Sequence, residues 1–113
     1  MIDYSSKNKT EVYMANYKLI ASDLDGTLLK QDMTVSPENA AAIQKITDGG
    51  TIFVASSGRT LYEIPKCVRD NPNIRYMTYS NGTAVFDKLK GVDIISNRIS
   101  KECASKVFDI LSD

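Results

Sequence analysis

The sequence predicts an α/β fold built on a parallel sheet. Apolar runs of strand length alternate with segments of helical periodicity, and each of the first three runs closes on small or polar residues: Asp-Leu-Asp-Gly-Thr at 23–27, Ser-Gly-Arg at 57–59 and Ser-Asn-Gly at 80–82. Strand, helix, strand, helix, strand is the order that a parallel sheet with crossover connections requires. In such sheets ligands bind beyond the carboxyl ends of the strands. The three polar closures are therefore the first places to look for chemistry.

Each element has its own local signal. Residues 1–16 are polar and aperiodic and read as a flexible tail. Lys18 to Ser22 is a short apolar run, expected to be a buried strand that stops at Asp23. Ser36 can cap a helix that Pro37 opens, with Ala40, Ile43 and Ile46 on its inner face and Gly49 or Gly50 ending it in the left-handed conformation. Thr51 to Ser56 is a second strand, rich in β-branched and aromatic residues. Leu61, Ile64 and Val68 suggest a helix that Pro65 limits to a turn or two. Ile74 to Ser80 is a third strand ended by Asn81-Gly82. Thr83 to Asp87 and Val92 to Ser96 read as a hairpin around Lys88 to Gly91. Ser100 then caps a last helix whose Cys103, Val107, Phe108 and Leu111 form one apolar face, expected to pack.

Composition narrows the function. The 113 residues suit one domain, with 42% hydrophobic and 25% charged residues. Fourteen basic and fourteen acidic residues cancel, so no net field draws the chain to nucleic acid or to an anionic membrane. No apolar run approaches the roughly 20 residues that span a bilayer, and the first ten residues lack the order of a secretory signal. Cys67 and Cys103 have no Cys-x-x-Cys spacing and are expected as reduced thiols in a cytoplasmic protein. The chain has no histidine, which removes His-based zinc sites and every Ser-His or Cys-His triad. Catalysis must use carboxylates, hydroxyls, lysines or arginines.

Asp23 and Asp25 are the centre of that chemistry. Two carboxylates at one strand end repel unless a cation joins them. Magnesium takes one or two carboxylates together with phosphate oxygens and water. A carboxylate can attack phosphorus, and an acid two residues on can protonate the leaving alkoxide and later deprotonate water. Ser57, beside free amides, can donate to a phosphoryl oxygen. The simpler readings stay open: 23–27 is also rich in turn residues, Arg59 can be a solvated surface arginine, and Asn81-Gly82 is the strongest short hairpin signal.

Asp-Leu-Asp-Gly-Thr-Leu-Leu at 23–29, directly after an apolar strand, resembles the first motif of the haloacid dehalogenase-like hydrolases. Ala-Ser-Ser-Gly-Arg at 55–59 and Ser-Asn-Gly-Thr at 80–83 are similar to its Cof-like sugar-phosphate phosphatase subgroup. The resemblance, over residues 18–111, implies the N-terminal half of a Rossmann-like core, a partial doubly wound parallel sheet, over 17–85. It implies the start of an α+β cap over 86–113. By the same resemblance Asp23 is nucleophile and magnesium ligand, and Asp25 is general acid/base and binds Mg2+ through its carbonyl. Ser57 and Gly58 belong to the phosphate-holding motif, and Arg59 and Asn81 line the substrate side. The implied substrate is a small phosphorylated metabolite.

The family's downstream lysine and its later Gly-Asp-x-x-x-Asp-like motif have no counterpart here. Lys88, Lys90, Lys101 and Lys106 fall in the hairpin and last helix, and Asp87, Asp93 and Asp109 lack the spacing. The expectation is a truncated chain that is inactive alone. In this family the first strand lies centrally, so Leu19 to Ser22 is expected to become an open sheet edge prone to self-association. Two alternatives stand beside this reading: a receiver-like phosphoacceptor domain, which needs an aspartate after the third strand where Tyr79, Ser80 and Asn81 stand, and a non-catalytic interaction module.

Overall fold

Small and β-branched residues after position 18 and after position 51 form two extended segments that pair in parallel: β1 (Leu19–Asp23) beside β2 (Ile52–Ser56), with Leu19 opposite Ile52 and Asp23 opposite Ser56. The computed structural model describes residues 17–112, so the tail expected over 1–16 lies outside the described residues. β3 (Tyr76–Tyr79) adds in parallel to β2, and β4 (Ala84–Asp87) and β5 (Val92–Ser96) continue the sheet as antiparallel neighbours. The spatial order is β1-β2-β3-β4-β5, with a register irregularity between Val85 and Phe86. The parallel α/β architecture expected from the sequence is present, and the hairpin around 88–91 extends the same sheet.

Parallel neighbours need a crossover, and α1 (Pro37–Asp48) supplies the first. The Ser36 hydroxyl accepts the Asn39 N–H at 3.1 Å, and Pro37 takes a first-turn position where its missing N–H costs nothing. Of the two following glycines it is Gly50 that turns left-handed, with φ of 93°, while Gly49 keeps φ of −77°. The second connection is a 3-10 turn (Leu61–Glu63) and a single helical turn, α2 (Lys66–Arg69), divided by Pro65 as expected. Ile43 and Ile46 of α1, Ile64 and Val68 pack with Phe53, Ala55 and Met77 from one face of the sheet. β3 begins two residues later than the sequence suggested, because Ile74 closes a turn onto the Asn71 carbonyl while burying its side chain in the core.

Two expectations about burial fail. β1 is not buried: among the described residues it is the outer strand of the sheet, the open edge also expected for Leu19 to Ser22, and Leu19 is 53% exposed. Strand propensity is satisfied by pairing on one side alone. The last helix, α3 (Lys101–Leu111), forms with Ser100 capping the Cys103 N–H at 3.1 Å, yet none of its residues is buried. Its expected packing face is open, with Phe108 72% and Leu111 80% exposed. The helix follows β5, the opposite outer strand, and among the described residues nothing lies over its apolar side. No described helix is long and apolar enough to cross a membrane.

Candidate active site

Register decides what stands at the carboxyl end of the parallel strands. Asp23 is opposite Ser56, and Ser56 is opposite Thr78, so one acid and two hydroxyls stand abreast. The Thr78 hydroxyl donates to Ser56 Oγ at 2.8 Å. Leu24, between the two acids, is completely buried and anchors the turn. Asp23 and Asp25 are thereby left facing solvent. The chain closes behind them through Leu28 N–H to the Asp23 carbonyl and Leu29 N–H to the Leu24 carbonyl. That closure brings the Thr27 hydroxyl back to Asp23, where it donates to Oδ2 at 3.2 Å.

The loop after β2 is held from several sides. Ser57 is buried at the strand end, where its N–H donates to the Thr78 carbonyl and its hydroxyl accepts the Arg59 N–H at 3.0 Å. Gly58 lies under Asn81: a Cβ at that position would come within 2.7 Å of Asn81 Oδ1. Only glycine permits that approach without displacing the amide. Asn81 has a left-handed φ of 56° and donates its N–H to the Ser57 carbonyl at 3.3 Å. The Asn81-Gly82 segment therefore makes the β3–β4 turn and also delivers a side-chain amide to the site. Ser80 N–H donates to the Arg59 carbonyl at 2.8 Å, tying the two loops together.

Arg59 crosses the site to Asp25. Its Nε donates to Asp25 Oδ2 at 2.9 Å and Nη2 to Oδ1 at 2.8 Å, a bidentate pair. The hydrogen bonds from the guanidinium hold the Asp25 carboxyl below the usual carboxylate value, and the same pair raises Arg59. The arginine's Nη1 donates to the Glu63 carbonyl at 3.2 Å. The Glu63 carboxylate in turn accepts from the Thr60 N–H and hydroxyl, at 2.9 and 2.7 Å, which lowers its own pKa.

All six residues singled out from the sequence thus lie at the end of β1 or on the loops that follow β1, β2 and β3. Thr27, Ser56, Thr78 and Glu63 join them and were not singled out. Thr27 stood inside the quoted motif, and Thr60-x-x-Glu63 is a helix-start pattern, so both had a local signal. Ser56 likewise stood inside the quoted 55–59 motif, whereas Thr78 had no local signal, since only strand register brings it beside Ser56 and Asp23. The carboxylate and carbonyl oxygens of Asp23 and Asp25 are hard donors suited to magnesium. Among the described residues no group of three acidic, cysteine or histidine side chains converges on a metal position. The two acids can supply part of an octahedron and leave the rest to water and phosphate oxygens.

Residues 20–113 match the family of haloacid dehalogenase-like hydrolases. The chain belongs to that family. The 5-amino-6-(5-phospho-D-ribitylamino)uracil phosphatase YcsE of Bacillus subtilis is 37% identical over 70 residues, covering 62% of this chain and 28% of that protein. The HMP-PP phosphatase of Serratia proteamaculans is 28% identical over 91 residues, covering 80% of this chain and 33% of that protein. A solved haloacid dehalogenase-like hydrolase from B. subtilis superposes with a TM-score of 0.70 at 31% identity, over 84% of this chain and 33% of that one. This haloacid dehalogenase-like hydrolase chain spans about a third of the length of the curated relatives it matches.

Proposed function

We propose that the chain carries the nucleophile half of a magnesium-dependent phosphatase that acts on small phosphorylated metabolites such as sugar phosphates, through an aspartyl-phosphate. The observation that carries this reading is the pair of solvent-facing acids, Asp23 and Asp25, turned outward by the buried Leu24 at the carboxyl end of a parallel sheet. Residues 17–85 then form half of the hydrolase core, and 86–113 the hairpin and first helix of a cap. The unpaired Cys67 and Cys103 fit a cytoplasmic setting.

In this reading an Asp23 carboxylate oxygen attacks phosphorus while Asp25 protonates the leaving alkoxide. Asp25 then takes a proton from the water that cleaves the aspartyl-phosphate. The Thr27 hydroxyl, already on Asp23 Oδ2, fixes the orientation of the nucleophile. Ser57 donates its hydroxyl proton to a phosphoryl oxygen, and the glycine at 58 keeps the backbone close to it. Arg59 and Asn81 line the substrate side of the site. Magnesium, held by the Asp23 carboxylate and the Asp25 carbonyl, would offset the repulsion between nucleophile and phosphate.

The 113-residue chain alone is expected to be nearly inert, because a lysine and a third carboxylate would have to come from further polypeptide. Loss of one charge-stabilising donor typically costs about 10²–10³ in rate. Phosphate release from a panel of sugar phosphates, measured with this chain and with a longer polypeptide that includes it, tests both halves. Release at about 1 s⁻¹ or more by the chain alone would overturn its incompleteness. Retention of activity by Asp23→Asn in the longer protein would overturn the nucleophile. Magnesium binding by the chain, read by calorimetry, should be weak and lost in Asp23→Ala.

A further inference from the structure

The Arg59–Asp25 pair presents a conflict within the phosphatase reading, on which this inference rests. A general acid/base must be free to reach the leaving group, yet both oxygens of Asp25 are occupied by one guanidinium. The same guanidinium is the cationic group of residues 57–60, the loop that follows β2.

We propose that Arg59 is an exchangeable latch: it holds Asp25 while the site is empty, and a phosphate-ester anion takes the guanidinium over and releases the Asp25 carboxylate.

The geometry supports exchange rather than a permanent clamp. The backbone of Arg59 is fixed without help from Asp25, since its N–H donates to Ser57 Oγ at 3.0 Å and its carbonyl accepts from Ser80 N–H at 2.8 Å. The next residues are closed by Thr60 on the Glu63 carboxylate at 2.9 and 2.7 Å. The arginine side chain can therefore change partners without moving the loop. The pair lies open to solvent, with Arg59 34% and Asp25 49% exposed, the setting in which ion pairs contribute least. A phosphate dianion presents more charge than a carboxylate and equally good bidentate geometry. Two further contacts hold the guanidinium: Nη1, which Asp25 does not engage, donates to the Glu63 carbonyl at 3.2 Å, and Nη2 lies 3.9 Å from Met33 Sδ. These give it a pivot as it leaves Asp25.

A double-mutant cycle on phosphate binding tests the latch. Inorganic phosphate is titrated, with magnesium present throughout, into the chain and into Asp25→Asn, Arg59→Gln and the double variant, by calorimetry or phosphorus NMR. Competition for Arg59 predicts that Asp25→Asn tightens phosphate binding by roughly two- to fivefold, the range of an exposed ion pair. It also predicts that this gain disappears when Arg59 is already Gln. A gain of equal size in both backgrounds would mean simple charge repulsion from Asp25 and would overturn the latch while leaving the phosphatase reading intact. No gain in either background would overturn the latch as well. Phosphate binding to none of the four proteins would overturn the latch, since Arg59 would then take no phosphate anion; the phosphatase reading itself falls only if Asp23→Asn in the longer protein keeps its activity.

Discussion

Asp87 is 1% exposed, and a carboxylate so placed is costly unless each lone pair has a partner. Here Arg75 donates through Nε at 3.1 Å and Nη2 at 2.9 Å, and the amides of Leu89 and Lys90 donate to Oδ1 at 3.0 and 3.3 Å. Arg75 also lies over the Tyr76 ring, 4.9 Å from its centre, a cation–π contact. The hydrogen bonds from Arg75, opposed by burial, lower the Asp87 pKa from 3.8 to about 2. A carboxyl depressed on folding contributes stability that is full above its unfolded pKa and is lost as pH falls through its folded pKa. Stability should therefore fall between about pH 4 and pH 2, and Asp87→Asn should flatten that slope while lowering stability at neutral pH. Urea midpoints measured across this range check it; an unchanged acid slope in the variant would assign the loss to other carboxylates.

At the scale of elements, α1 and α3 begin alike and end differently. Each has a serine cap whose hydroxyl accepts from the amide three residues on, at 3.1 Å in both. Only α1 buries its apolar side, through Ile43 and Ile46. Loss of the Ser36 cap should therefore be felt by the whole fold: Ser36→Ala is expected to cost about 1 kcal/mol and to lower Tm by roughly 4–8 °C. Ser100→Ala should fray α3 without moving the main transition, because no residue of α3 is buried. Thermal melts followed by circular dichroism separate the two; equal Tm shifts would mean that α3 is packed in solution. The hairpin between β4 and β5 is fastened better than α3. Lys88 Nζ donates to the Asn71 carbonyl at 2.6 Å and the Val68 carbonyl at 3.3 Å, joining the hairpin turn to the end of α2. Burial at this position lowers the Lys88 pKa.

For the whole molecule the open margins matter most. The Lys18 carbonyl accepts from Ile52 N–H, so the alternate residues Leu19 and Ala21 turn their backbone groups to the outer edge of β1, which has no strand partner among the described residues. Leu19 and its neighbour Ile52 are 53% and 43% exposed on one face of the sheet. At the far margin Val92 and Ile95 of β5 are about half exposed, ahead of the bare face of α3. Unpaired edges beside apolar surface recruit partners. The isolated chain is expected to sediment as a dimer or larger species at micromolar concentration. A monodisperse monomer with a single cooperative unfolding transition, found by sedimentation equilibrium and denaturant melts, would show that these margins are closed in solution.

The sequence by itself determined what depends on near neighbours along the chain. Ser36, Pro37 and the Gly49-Gly50 pair bounded α1, Pro65 divided the second connection, and Asn81-Gly82 made its turn, because caps, ring constraints and left-handed positions act within a few residues. It also marked Asp23, Asp25, Ser57, Gly58, Arg59 and Asn81 as candidates, since polar closures of parallel strands share one rim. The tertiary structure alone decided which of these touch. The bidentate hold of Arg59 on Asp25 spans 34 residues of sequence, and the hydroxyl pair of Ser56 and Thr78 spans 22. Burial was decided at the same level. Leu19 and Phe108 carry the apolar character of core residues, but whether an apolar side chain is covered depends on what packs over it, and no local pattern encodes that.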